Sequence, residues 1–590
     1  MDRQQTVLQP QITVLDAGGQ YCHLIARKVR ELGVYAEVAP SETPASELAD
    51  RKGVIVSGGP SSVYDADSAS IDRRLLHSGV PVLGICYGQQ LIAHLLGGQV
   101  QKGERGEYGF AQLDLLRPTP LFRGVEGQQQ VWMSHRDLVT EPPSGFEVTG
   151  RTATCQVAAM ASSSRRLYGV QFHPEVAHTP SGRRILENFV FEICGARRDW
   201  NPTGRIPELE EQVRAAAGGR SVFFFVSGGV DSTVAYTLCL RSLGADRVRG
   251  TYVDTGLMRE GETEFVRDHF SNLGARGFRV EDASARFLNS LQDALDPEVK
   301  RRVIGEEFVR VQEQILASEQ FLNGHWILGQ GTIYPDTIES AGSAKADLIK
   351  THHNRVEGIR KLIGEGRIVE PLAGFYKDEV RAIGRELGLP GALLDRHPFP
   401  GPGLAIRCLC SAEPAAPVKK PGGWMLPVRS VGVQGDSRTY RATLAIDGFP
   451  ENQEEAARLV NSSDGINRVV VIVGAAARMA EMGSLASRLT RDRLARLRQA
   501  DAIVRRLSHE SGFDREVWQF PVVLIPFGTP DRPDSVVLRP IDSVDGMTAR
   551  AVRMPNELLK AMSRELGALE GVAGVFYDVT NKPPATIEWE

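Results

Sequence analysis

Ser227-Gly228-Gly229-Val230-Asp231-Ser232 follows the apolar run Val222-Phe223-Phe224-Phe225-Val226 and precedes Thr233-Val234-Ala235-Tyr236-Thr237-Leu238. An unbroken β-forming run predicts a buried parallel strand, and the segment after the glycines predicts a helix. Between them, Gly228 and Gly229 let backbone N–H groups approach an anion closely, and the helix start adds positive dipole. Ser227, Ser232 and Thr233 supply hydroxyls. Asp231 places a carboxylate where phosphates would repel it, so a bridging Mg²⁺ is its expected partner. The stretch reads as a pyrophosphate cradle, with a strand–turn–helix corner that uses glycine only for geometry as the alternative.

A Walker A loop is excluded, because the Gly-Lys-Ser/Thr ending is missing. The string resembles the ATP-pyrophosphatase family, whose members cleave ATP between its α and β phosphates and adenylate an acceptor. The resemblance implies ATP contacts along residues Ser227, Gly228, Gly229, Val230, Asp231, Ser232 and Thr233, with Asp231 on the metal side. Further strands are expected at Arg249–Asp254, Phe278–Val280 and Trp326–Thr332. Ligands in open parallel sheets bind beyond the strands' carboxyl ends, which makes Val253, Asp254, Thr255, Gln330 and Gly331 candidate pocket residues. Lys377 suits a leaving pyrophosphate, and equally suits an exposed helix start. Lys345, His352 and His353 lie in the same region; neighbours on a strand point apart, so structural or anion-contact roles precede zinc.

At 590 residues the chain has room for three or four domains. Charged residues are 24% and apolar ones 42%, as in ordinary globular proteins. A net charge of −4 gives no reason to expect a nucleic-acid partner. No run approaches a membrane span, and Met1-Asp2-Arg3-Gln4-Gln5 lacks a signal peptide's apolar core, so no membrane partner is expected. Seven cysteines without paired spacing fit a reducing cytoplasm.

The first two hundred residues alternate strands and helices: Ile12–Asp16, Gly53–Val56 leading into Ser57-Gly58-Gly59-Pro60, and Pro81–Ile85 leading into Cys86-Tyr87-Gly88-Gln89-Gln90. Such alternation predicts a parallel α/β sheet. Gly84-Ile85-Cys86-Tyr87-Gly88 has the form of a nucleophile elbow carrying a thiol at a helix start, where the dipole favours a thiolate. Taken alone, a buried structural cysteine fits as well. Leu167–Glu175 then adds His173 and Glu175, whose spacing of two puts both side chains on one face if the backbone is extended. The carboxylate would hold an imidazole that deprotonates the thiol.

These residues resemble the class I glutamine amidotransferases throughout residues 11–195. The resemblance implies Cys86 as nucleophile, His173 as base and Glu175 as its orienting carboxylate, with the N–H groups of Gly59 and Tyr87 as the oxyanion hole. It assigns glutamine positioning to Gln90 and to the Ser134-His135-Arg136-Asp137 turn, with Asp137 as the contact. Arg136 stands where that family has glycine.

The linker Asn201–Pro207 opens the second part. Ammonia production joined to AMP transfer implies amination through an adenylated oxygen. Three tracts, His397–Arg407, Val431–Arg438 and Lys582–Glu590, together with Tyr334–Ser340, resemble the GMP synthase family over nearly the whole chain. The resemblance implies xanthosine monophosphate (XMP), ATP and glutamine as substrates, Mg²⁺ accompanying the phosphates, and acceptor contacts at Asp436, Arg438, Gln519, Lys582 and Glu588. An adenylating amidotransferase with another acceptor is the runner-up.

The expected fold class is α/β, with two parallel-sheet domains, 1–200 (amidotransferase) and 201–403 (ATP-pyrophosphatase), followed by an α+β domain, 404–590. Within the last, Tyr440–Ile446, Glu451–Val460 and Gly465–Val473 form a strand–helix–strand pattern that Ser535–Ile541, Asn556–Leu566 and Gly571–Val579 repeat. A duplicated module is expected, in subdomains 404–475 and 515–590, with the second copy packed on the first and a monomer favoured over a homodimer. Between the copies, the charged stretch Arg488–Leu507 reads as a solvated helix.

Overall fold

The computed structural model describes residues 9–339, 356–434, 437–451, 455, 458–459, 465–475, 479–543, 549–582 and 584–590. The chain divides into two compact units, Met1–Asn201 and Pro202–Glu590.

The first unit is built on a nine-stranded sheet. Its strands are β1 (Ile12–Asp16), β2 (Ala36–Pro40), β3 (Gly53–Val56), β4 (Val82–Ile85), β5 (Gln99–Leu115), β6 (Gln128–Glu141), β7 (Glu147–Arg151), β8 (Ala159–Ser162) and β9 (Leu167–Val170), in the order β2-β1-β3-β4-β9-β8-β7-β5-β6. The half from β2 to β9 is parallel, as the alternating pattern predicts. The antiparallel strands β5 to β8 extend it. Strands β3, β4 and β9 are buried at every position, which is why they read as unbroken apolar runs. The long β5–β6 hairpin alternates instead, with one face toward solvent.

The second unit begins with a five-stranded parallel sheet: β10 (Ser221–Val226), β11 (Val248–Asp254), β12 (Phe278–Asp282), β13 (Trp326–Gly329) and β14 (Ile368–Val369). The order β12-β11-β10-β13-β14 places the topological switch between β10 and β13. Their carboxyl ends therefore frame a ligand crevice. Phe223 anchors the sheet by stacking on Phe321, with ring centroids 4.3 Å apart.

A seven-stranded sheet follows, ordered Val418–Lys420, Gly423–Gln434, Ser437–Ile446, Ile466–Ala475, Val572–Asp578, Asp534–Leu538, Val522–Ile525. Its two halves have matching pairings. Ser437–Ile446 runs parallel to Ile466–Ala475, and Asp534–Leu538 runs parallel to Val572–Asp578. The two closing strands then pair antiparallel with each other. Gly465 (φ 86°) and Gly571 (φ 77°) each lead a closing strand from a conformation that suits glycine. The repeated units thus share one sheet. Most of the expected helix Glu451–Val460 lies outside the described residues, whereas its counterpart spans Asn556–Gly567.

Residue 403 does not mark a gap in packing, because one hydrophobic core runs from Phe223 and Leu328 to Leu404, Val469, Val536 and Tyr577. The charged stretch between the copies is not the solvated helix expected. It forms the helix Arg491–Ser511, which buries Leu494, Leu497, Ala500 and Val504 in that core. Apolar residues at i, i+3, i+6 and i+10 make a stripe narrow enough for the arginines around it to dominate the composition.

The last residues are equally interior. Asp578 is fully buried and accepts from Arg468 and Arg539, each at 2.8 Å, and from the Trp589 indole at 2.9 Å. The same two arginines donate to the carbonyls of Thr580, Thr586, Ile587 and Glu588. Lys300, fully buried in the helix Pro297–Ser318, pairs with Glu590. Buried charges of this kind are tolerated only when paired and hydrogen-bonded, so the network fixes the path of the terminal strand-like segment.

Candidate active site

In the first unit, β4 ends at Ile85 and the helix Tyr87–Leu95 starts at once, leaving Cys86 at φ 54°, ψ −107°. A side chain in this region of backbone space costs about 1–3 kcal/mol and persists only where its surroundings enforce it. The flanking glycines do so. A Cβ on Gly84 would lie 2.5 Å from the Gly88 carbonyl, and one on Gly88 would lie 2.3 Å from the Val56 oxygen. The turn is therefore as tight as the elbow pattern requires, and it holds the thiol at the sheet's carboxyl edge.

His173 and Glu175 come to this edge by a different route from the one expected. Strand β9 stops at Val170, and residues 174–175 form a turn, so the two side chains do not share a strand face. Proline at 174 removes the N–H that a further ladder bond would need. The turn still brings Glu175 Oε1 to 2.7 Å from His173 Nδ1. Thr179 donates to the His173 carbonyl, and the His173 N–H donates to Trp132 O, so the ring is fixed from both sides of the chain. Burial opposes a charge on His173, but the Glu175 carboxylate and the Cys86 sulfur outweigh it and raise the imidazole to about 10.

Gly58 and Gly59 face the elbow. A Cβ on Gly58 would sit 3.3 Å from His173 Cε1, and one on Gly59 would meet Ala17 O at 2.5 Å. Cys86, His173, Gln90, Gly59, Asp137 and Tyr108 line a cleft of about 810 Å³. The Tyr87 N–H belongs to the first turn of its helix, where backbone donors have no intrahelical acceptor.

Residues 134–137 lie inside β6 rather than in a turn. The pairing with β5 shifts register between Lys102 and Glu107, opposite Arg136. Among the described residues, positive φ without glycine occurs only at Cys86, Arg166 and Gln320, so Arg136 does not need glycine's freedom. Gln90 donates to the Asp137 carbonyl at 2.7 Å. His135 joins the Asp137 carbonyl to Glu107, and although burial works against it, His135 and neighbouring threonines hold Glu107 below the usual carboxylate range. The sequence reading missed Gln171, which reaches Cys86 Sγ at 3.6 Å and Gln90 through its own oxygen at 3.2 Å. Its place two residues before His173 was the available signal.

In the second unit, Ser227–Gly229 connect β10 to the helix Val230–Leu243. Gly228 takes φ 73°, and a Cβ there would meet Val266 at 3.0 Å. Ser227 Oγ and Ser232 Oγ are 3.0 Å apart, and the Gly229 N–H donates to Ser227 Oγ at 3.2 Å. Gly331, after β13, approaches so closely that a Cβ would lie 2.6 Å from Ser232 N. Lys377 opens the helix Lys377–Glu386 and pairs with Asp231 Oδ2 at 2.5 Å. Asp231 Oδ1 and Thr233 Oγ1 are buried without a partner, so the cradle holds polar atoms that a phosphate and its cation would satisfy. Among the described residues no group of three or more His, Cys, Asp or Glu is arranged to hold a metal alone.

Val253 is buried near the end of β11, while Asp254 is occupied by the Gly256 N–H and the Thr263 hydroxyl, both at 2.8 Å. Asp254 is thus a turn-forming residue. Lys345, His352, His353 and Asp436 lie outside the described residues, and of Arg438 only the backbone, in the strand Ser437–Ile446, is described. Gln519 donates to Pro398 O at 2.8 Å, and Glu588 accepts two hydrogen bonds from Arg407, at 2.9 and 2.6 Å. Lys582 forms a backbone bridge with Ala549. The tract His397–Arg407 is therefore where Gln519 and Glu588 converge.

The glutamine amidotransferase class-I family model matches residues 13–193, and the GMP synthase C terminal domain model matches residues 507–589. A probable glutamine-hydrolysing GMP synthase of Leptospira interrogans is 40% identical over 99% of this chain and 100% of its own length. The glutamine-hydrolysing GMP synthase of Geobacillus kaustophilus is 39% identical over 99% of this chain and 100% of its own. A solved structure of a GMP synthase component from Thermoplasma acidophilum is 34% identical, covering 32% of this chain and 95% of its own, with a TM-score of 0.29. With thiol elbow, phosphate loop and end-to-end similarity of this extent, the chain belongs to the family of glutamine-hydrolysing GMP synthases.

Proposed function

We propose that this chain makes GMP from XMP, ATP and glutamine, residues 1–200 producing ammonia, 201–403 activating the purine and 404–590 completing the acceptor site. The Cys86 thiolate attacks the glutamine amide carbon, and Gly59 and Tyr87 N–H groups receive the oxyanion. The imidazolium of His173, steadied by Glu175, delivers its proton to the departing nitrogen, which leaves as ammonia; water then releases glutamate from the thioester. The purine O2 of XMP attacks the α-phosphorus of ATP and expels pyrophosphate, whose charge Lys377 and the loop N–H groups receive. Ammonia adds at C2 and AMP departs, taking the oxygen with it.

Mg²⁺ would neutralise phosphate charge in this cradle, and Asp231, with one buried oxygen unpartnered, is the residue that would hold it. Gln519, Lys582 and Glu588, with Asp436 and Arg438, are the proposed XMP contacts. The observation that carries the reading is the union on one chain of the strained Cys86 elbow, bonded into a His173–Glu175 pair, with the Ser227–Ser232 loop. Product masses after incubation with ATP, Mg²⁺, glutamine and XMP test it. GMP, AMP and pyrophosphate are expected; ADP and phosphate without AMP would overturn it.

The repeat units that share one sheet support a monomer, since each closing strand already has its partner within the chain. Light scattering on dilute protein checks this, and a stable dimer through the last unit would reject it. No helix among the described residues is long and apolar enough to cross a membrane, and all seven cysteines are free; a reducing cytoplasm is the setting we infer.

A further inference from the structure

The loop after β11, Thr255–Glu260, stands at the carboxyl edge beside the Ser227 loop: Gly228 packs on Tyr252 and Val266, which flank it in sequence. Its carbonyls are capped from elsewhere in the unit. Arg498, from the helix Arg491–Ser511, donates through Nε to Met258 O at 2.9 Å and through Nη2 to Gly256 O. The Leu404 N–H donates to Leu257 O at 2.7 Å, and Arg505 reaches Glu260 O at 3.4 Å. One turn further along the helix from Arg498, the buried Asp501 pairs with Arg505 at 2.8 Å and with Arg259 of the loop at 3.6 Å. Thus a helix about 240 residues away in sequence supplies most of the groups that hold this loop.

The loop has little else to fix it. Gly256 (φ 68°) leaves the strand in a conformation that suits glycine, and its own internal bonds are the Asp254 and Thr255 turns. A five-donor guanidinium is suited to the task, because its rigid fork reaches two carbonyls of one turn at once, where an ammonium is a single point charge.

We propose that Arg498 is a positioning residue of the nucleotide site: it holds Thr255–Glu260 in the conformation that receives ATP, and so makes the helix between the two repeat units part of the adenylation machinery. The proposal rests on the reading of the Ser227 loop as the ATP site. It places Arg498 in contact with loop backbone only, so its loss should act through the fraction of enzyme whose loop is competent, which divides directly into the apparent affinity.

The test uses the full chain with saturating XMP and added ammonium salt, measuring AMP formation against ATP concentration for wild type, Arg498→Lys and Arg498→Gln, with melting temperature recorded for each. A fall in the competent fraction to a tenth would raise KM for ATP by about tenfold in Arg498→Gln. We expect that rise with kcat within about twofold, KM for XMP unchanged, and partial recovery in Arg498→Lys, which can satisfy one carbonyl. An unchanged KM for ATP in either soluble variant, or equal losses for ATP and XMP that follow the melting temperature, would overturn the proposal. Failure of the ATP-site reading itself would show separately, as wild type forming no AMP.

Discussion

Two strand-to-helix turns carry the chemistry, one after β4 and one after β10, and they place their backbone strain on opposite kinds of residue. After β4 the positive φ falls on Cys86, the side chain that reacts; after β10 it falls on Gly228, which has no side chain. The physical reason is what each turn must present. A covalent nucleophile has to project its own atom from the tightest point of the turn, so the reacting residue itself bears the cost and Gly84 and Gly88 make room around it. A phosphate cradle has to present N–H groups, so its tightest point is best left bare.

Removing the reacting atom should give the largest effect. Cys86→Ala should lower glutamine-driven GMP formation by about 10⁴-fold or more while leaving synthesis from ammonium salts within about twofold, measured by chromatography of the nucleotides. Loss of both activities together would erase the contrast between a turn that reacts and a turn that binds.

Gly228→Ala probes the other turn. A left-handed alanine costs about 1–2 kcal/mol, and its Cβ would press on Val266, so ammonium-driven AMP formation should fall by about 10–30-fold. Glutamine hydrolysis by the Cys86 site should not change. Next in size, Lys377→Met should raise KM for ATP by about tenfold, since it removes a half-exposed cation and leaves Asp231 without its ion pair. Full activity in Lys377→Met would return that lysine to the surface role the sequence also allowed.

The smallest effect concerns pH. His173 is raised to about 10, above its ordinary 6.5, by Glu175 and Cys86 against the opposing effect of burial. A group raised in the folded state adds stability that is complete below its unfolded pKa and disappears as pH climbs through the folded one. The melting-temperature gap between wild type and Glu175→Gln should therefore be widest near pH 6 and shrink toward pH 10. The gap amounts to a few degrees, at ~2–4 °C per kcal/mol for a large domain. A gap independent of pH would mean that Glu175 acts by packing alone.

Local patterns made both turns legible, because glycine spacing and unbroken apolar strands impose the backbone before any distant contact forms. Those patterns placed Cys86, the Ser227–Ser232 loop and the repeated strand–helix–strand units along the chain. They did not indicate that His173 and Glu175 meet through a proline turn rather than along a strand. Nor did they show that Arg488–Leu507 is interior, since a narrow buried stripe under many arginines has the composition of a surface helix. Gln171 beside Cys86, Arg407 under Glu588 and Arg498 on the Gly256 loop join residues between 85 and 242 positions apart. Sequence alone determined which turns could do chemistry, because φ and hydrophobic period are local properties. Only the tertiary structure decided which buried charges find partners, because desolvation and pairing depend on what the whole fold brings within hydrogen-bond reach.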